Sequence, residues 1–198
     1  MAPSAGYDPL IDLPMAQAAR PAELGPVNLR TLTPFQRALL VIDGTVTKFI
    51  EAYTMEPIEV VRLAQQDVPL EEDHRWLEAP SGTMVAARQA MLRGKYSHTL
   101  YAYARSWIVP DRLSPEVAKR IQVDGEGLGR ILNDHDTETR REVLWYGRER
   151  TTDLPEVVLR ATGGEFISRT YRIIARKRPI MLITEKFPVA TDELPAHH

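Results

Sequence analysis

Two stretches near the C-terminal end, "EFISRTYRIIAR" and "IMLITEKF", are rich in β-branched residues and are separated only by "KRP". A link that short makes them an antiparallel hairpin, because parallel neighbours need a crossover of a dozen or more residues. The same chemistry recurs upstream. "PIEVVRLAQQ" and "TMVAARQAMLRG" read as strands, "TLYAYARSWIVP" returns after the turn "GKYS" and is ended by Pro110, and "TRREVLWYGRER" regains strand character. Thr33, Pro34 and Gln36 form a capping box with proline at the first helical position, and the helix they open is broken at Asp43-Gly44. Helical spacing of Val46, Phe49 and Ile50 then starts a second short helix. "SPEVAKRIQ" and "GLGRILND" are two further short helical segments. Successive strands with short turns predict an α+β single domain, an antiparallel sheet with helices covering one face.

A chain of 198 residues, 43% hydrophobic, can bury one good core and is short for two. Its 25 basic and 27 acidic side chains give a charge of -2 and are scattered, so nothing marks a nucleic-acid surface. The absence of cysteine excludes disulfides and thiolate metal sites and is compatible with a reducing cytoplasm. No apolar run approaches the roughly 20 residues of a membrane span. The expectation is a cytoplasmic protein. Its Pro- and Ala-rich residues 1–29 would form a flexible leader, residues 30–190 the folded domain and residues 191–198 a flexible tail ending in two histidines.

Charge placement is the unusual feature. With a period of two, Met181, Ile183, Glu185 and Phe187 share a face, as do Met84, Ala86, Arg88, Ala90 and Leu92. Arg169 is in phase with Ile167, Tyr171 and Ile173. Arg88 and Glu185 could be a buried ion pair, but desolvation usually cancels most of such a pair's Coulomb gain. The alternative is a pocket in which Arg88 receives a carboxylate bidentately and Glu185 meets a hydroxyl or a proton in transit. His98 and His135 stand beside a turn and a helix end, where solvated or capping roles are usual. Neither a metal-ligand spacing nor a nucleophile elbow occurs, and "DGEGLGRIL" lacks the spacing and preceding strand of a phosphate loop.

The order and spacing of "LLVIDGTVTKFIEA", "RQAMLRG", "WIVPDRLSP", "GLGRIL" and "SRTYRIIARKRPIMLITEKF" resemble the chorismate pyruvate-lyase family, the 4-hydroxybenzoate synthases. "DGTVT", "VPDRLSP" and "RPIMLITEKF" look like the branch associated with secondary metabolites and cell-envelope lipids. The resemblance implies a monomeric oxo-acid lyase with an enclosed cavity. Without cofactor or metal, it would convert chorismate to 4-hydroxybenzoate and pyruvate and be held back by slow product release. By the same resemblance Arg88 holds the ring carboxylate, Glu185 meets the ring oxygen, and Val46 and Leu128 contribute main-chain contacts. Arg169 or another inward cation would steady the enolpyruvyl carboxylate. Two alternatives share the fold: a noncatalytic domain binding an aromatic acid, and a lyase that makes a different hydroxybenzoate. The leader is too short and too Pro-rich for the DNA-binding segment that regulators of this fold carry, which weighs against the first.

Overall fold

The computed structural model describes residues 10, 13–123, 127–135 and 138–189. The expected tail and the first part of "DGEGLGRIL" lie outside them. The elements run α1 (Pro34–Val41), α2 (Val46–Thr54), β1 (Ile58–Pro69), β2 (Met84–Gly94), β3 (Leu100–Ile108), α3 (Pro115–Val123), α4 (Leu128–Asp134), β4 (Arg140–Arg150), α5 (Glu156–Thr162), β5 (Glu165–Ala175) and β6 (Arg178–Pro188). The strands form one antiparallel sheet ordered β1-β2-β3-β6-β5-β4. This is the α+β, single-domain architecture that the short turns imply.

The capping box is complete: Thr33 Oγ1 accepts from the Gln36 amide and the Gln36 side chain accepts from the Thr33 amide, starting α1 where the sequence places it. Helices α1 to α4 cover one sheet face. Leu39, Leu40 and Ile50 pack on Leu92, Ile167 and Phe187 at one end of that face. Val117, Ile121, Ile131 and Leu132 pack on Ile173 and Ile183 at the other. The opposite face is closed by α5, through Val158 against Met91, Tyr103 and Phe166, and by the β1–β2 loop, through Leu77 against Val85 and Val109.

Helix α5 has sequence signals of its own. Pro155 precedes it, Glu156 lies in its first turn and Gly163 closes it at φ 64°. Residues 13–29 differ from the loose leader expected of their composition. The Met15 and Ala16 amides donate to the Val143 and Leu144 carbonyls, the Gln17 side chain bonds both main-chain groups of Tyr146, and Gly25 bridges Arg148. An open β4 edge offers unpaired backbone groups, and this segment satisfies them. No helix of the described residues is long and apolar enough to cross a membrane.

Candidate functional site

The wall between the two helical cores contains a cavity of about 70 Å³. It exists because the middle of its floor is built from small side chains. Ala90, Ala104 and Ser106 stand where the rest of this face carries Leu, Ile and Phe. Arg88 on β2 and Glu185 on β6 border it, two strand spacings apart or about 10 Å of backbone separation, with β3 and its small residues between them. Both are buried, Arg88 3% and Glu185 5% exposed. The period-two reading therefore brings these two residues to one cavity.

The ion pair of Glu185 is made to its cross-strand neighbour Arg169, whose Nε donates to Oε2 at 2.9 Å. The Tyr171 hydroxyl donates to the other oxygen, Oε1, at 3.1 Å. Two donors on two oxygens suit an ionised acceptor. Burial, and next the Glu185 charge, push the Tyr171 hydroxyl's pKa well up, so it stays a neutral donor. Arg169 itself is 1% exposed and lies behind Glu185 rather than in the cavity wall. Its Nη1 donates at 2.9 Å to the Ile42 carbonyl at the end of α1, where a cation also complements the helix dipole. Arg169 thus stands one residue back from the cavity, its Nε on Glu185 and its Nη1 on Ile42, while its buried Nη2 has no hydrogen-bond partner among the described residues.

Two helix starts cover the floor. Val46 and Leu128 are the first residues of α2 and α4, and both border the cavity. The N-cap Thr45 of α2 makes no side-chain bond to its first turn, and the N-cap of α4 is Gly127, which has no side chain to offer. First-turn amides of a helix have no intrahelical acceptor, so both residues are placed to offer main-chain donors. Gly129 allows the approach of the two helices: a Cβ there would sit 3.0 Å from Thr45 Oγ1.

Burial, and secondarily the Arg62 charge, push the Arg88 pKa down. The protein thus holds this cation in a setting that an incoming carboxylate would relieve. Arg141 on β4 also lines the cavity, and its Nη1 donates at 3.3 Å to the Asp43 carbonyl in the α1–α2 turn. It went unremarked in the sequence, although it is in phase with Val143, which packs against the core of this face. Among the described residues no group of three or more His, Cys, Asp or Glu side chains could hold a metal ion.

The fold has clear relatives. The effector domain of PhnF from Mycobacterium smegmatis superposes with a TM-score of 0.59 at 14% identity, over 75% of this chain and 90% of that one. A GntR-family transcriptional regulator from Bacillus cereus gives 0.53 at 12% identity, over 71% and 98%. These likenesses concern the fold alone. In sequence, the chain is 27% identical over 169 residues to the chorismate pyruvate-lyase of Mycobacterium tuberculosis, covering 81% of this chain and 82% of that protein. It is 28% identical over 171 residues to the Mycobacterium leprae enzyme of the same name, covering 81% and 77%. The model of the Rv2949c-like chorismate pyruvate-lyases matches residues 40–194, which include every residue bordering the cavity. The chain belongs to the Rv2949c-like chorismate pyruvate-lyase family.

Proposed function

We propose that the cavity converts chorismate to 4-hydroxybenzoate and pyruvate with the protein's own side chains. The observation that carries this reading is the placement of Arg88 and Glu185 in one cavity, on either side of a floor of small residues that suits a flat ring. Arg88 holds the ring carboxylate in charge-assisted hydrogen bonds. Glu185, aimed by Arg169 and Tyr171, accepts from the ring hydroxyl, and the Val46 and Leu128 amides fix the ring's other polar edge.

Chorismate needs little more than positioning. The ring carbon's bond to the enolpyruvyl oxygen breaks, a proton leaves the adjacent hydroxyl-bearing carbon, and the departing enolpyruvate takes up a proton to become pyruvate. Aromatisation drives the step. Holding the ether and the migrating proton in line, away from water, is the protein's contribution.

The test mixes the full chain with chorismate and quantifies both products, with Arg88→Met and Ala104→Leu alongside. Equal amounts of pyruvate and 4-hydroxybenzoate are expected. Arg88→Met should lower kcat/KM by roughly a hundredfold, the loss of a strong charge-assisted contact. Ala104→Leu should abolish turnover by filling the floor while the chain stays folded. Pyruvate with another aromatic product would keep the site and change the product. Tight 4-hydroxybenzoate binding without pyruvate would favour the second reading, a noncatalytic domain of the same fold that binds an aromatic acid.

A further inference from the structure

We propose that Arg141 is the receptor for the substrate's second carboxylate and makes the cavity selective for a ring dicarboxylate over a ring monocarboxylate. This rests on the lyase reading, because chorismate carries one carboxylate on the ring and another on the enolpyruvyl arm.

Charge and position support the assignment. The described residues bordering the cavity include two guanidinium groups, Arg88 and Arg141, and one carboxylate, Glu185, which Arg169 already neutralises from behind. The wall is therefore suited to a ligand of more than one negative charge. Arg88 is on β2 and Arg141 on β4, with three strands between them, so the two approach from opposite ends of the cavity. That separation suits carboxylates at two ends of one molecule. Arg141 faces the same side as its cross-strand partner Ile173, which also borders the cavity, and its charge reaches the Tyr171 hydroxyl.

The tether to the Asp43 carbonyl uses one of five guanidinium N–H donors, at 3.3 Å and with a neutral acceptor. A carboxylate is a stronger acceptor, so Arg141 can bind it while remaining beside the α1–α2 turn. Cleavage then separates the two anchors. The ring carboxylate stays with Arg88, the pyruvate carboxylate with Arg141, and each product holds on by one charge where the substrate held by two.

The experiment measures binding of two unreactive probes to the full chain, 4-hydroxybenzoate with one carboxylate and 3-(carboxymethoxy)benzoate with two, for wild type, Arg141→Met and Arg141→Lys. Arg141→Met should weaken the dicarboxylate roughly ten- to a hundredfold, while the monocarboxylate changes by less than about twofold. The KM for chorismate should rise in step with the dicarboxylate Kd, and Arg141→Lys should recover part of the loss. Equal weakening of both probes, or of neither, would overturn the proposal. If Arg141→Met does not fold, the Lys variant alone decides, by whether its loss falls on the dicarboxylate selectively. If wild type makes no pyruvate, the lyase reading fails, and the two-probe comparison still judges Arg141 by itself.

Discussion

Glu185 and Arg169 illustrate what a buried charge requires of its neighbours. With 5% and 1% of their surfaces exposed, both have left water, and each is tolerable because the other is 2.9 Å away. Glu185→Ala should therefore destabilise the chain by about 3–5 kcal/mol, because Arg169 would keep its charge without a counter-ion. Urea unfolding measures this, and an unchanged midpoint would mean that Ile42 and Tyr171 suffice for Arg169. The inward acid was legible from strand period alone, since Met181, Ile183 and Phe187 fix its phase. Its partner was not legible. The hairpin pairs Ala175 with Arg178, and that register continued unbroken would set Arg169 opposite Thr184. A shift between Ile173 and Ile174 moves the pairing by one and sets Arg169 opposite Glu185. A single slip exchanges faces, and nothing in local composition announces it. Arg141 stayed hidden for a related reason: six charged residues among "RREVLWYGRER" blur the alternation that would single it out.

At the scale of elements, the β1–β2 connection shows how loop residues between strands acquire structure. It folds back on the sheet: Leu77 is fully buried, Arg112 donates to the Leu77 and Glu78 carbonyls, and His74 pairs with Ala79 in an isolated bridge. Within it, His74 Nδ1 accepts from the Leu77 amide at 3.1 Å, and the ring meets the Trp107 ring edge-on at 5.0 Å. Accepting through Nδ1 requires a neutral imidazole. Burial lowers the His74 pKa below its ordinary 6.5, against a smaller upward pull from its own backbone hydrogen bond and from Glu72. A folded value below the unfolded one means that the neutral ring's contribution is present above pH 6.5 and is lost as pH falls through the lowered value. An NMR titration of the His74 ring should give a midpoint below 6.5, and His74→Gln should flatten the acid limb of stability beneath that pH. A midpoint at or above 6.5 would mean that the loop does not close over the ring. This loop and α5 were the elements least legible in the sequence. The loop owes its form to the sheet beneath it, and α5, with only 7 residues, carries end signals but too few turns to show a helical period, whereas the strands carry their own period.

On the scale of the molecule, an antiparallel sheet with six strands has two edges, and an unprotected edge invites pairing with another chain. The β4 edge is covered by residues 15–25, which pair their amides with Val143 and Leu144, bridge Gly25 to Arg148, and bring Leu24 into a cluster with Leu144 and Trp145. The close approach depends on Gly147. A Cβ at that position would sit 2.8 Å from the Gly25 carbonyl and 2.9 Å from Leu24 Cβ, and backbone cannot step aside as a flexible side-chain tip can. Gly147→Val should therefore lift this segment from the edge while the cavity, built from other elements, keeps its form. The expected cost is about 1–3 kcal/mol in urea unfolding, the usual penalty for overpacking. A glutamate-specific protease should then cut after the exposed Glu23 faster than in wild type, and a newly open edge should add concentration-dependent association in sedimentation. Binding of 4-hydroxybenzoate should be unchanged, because none of residues 15–25 borders the cavity. If cleavage after Glu23 stays slow and the unfolding midpoint is unmoved, the edge cover tolerates displacement at Gly147 and its hold comes from the Met15–Gln17 bonds alone.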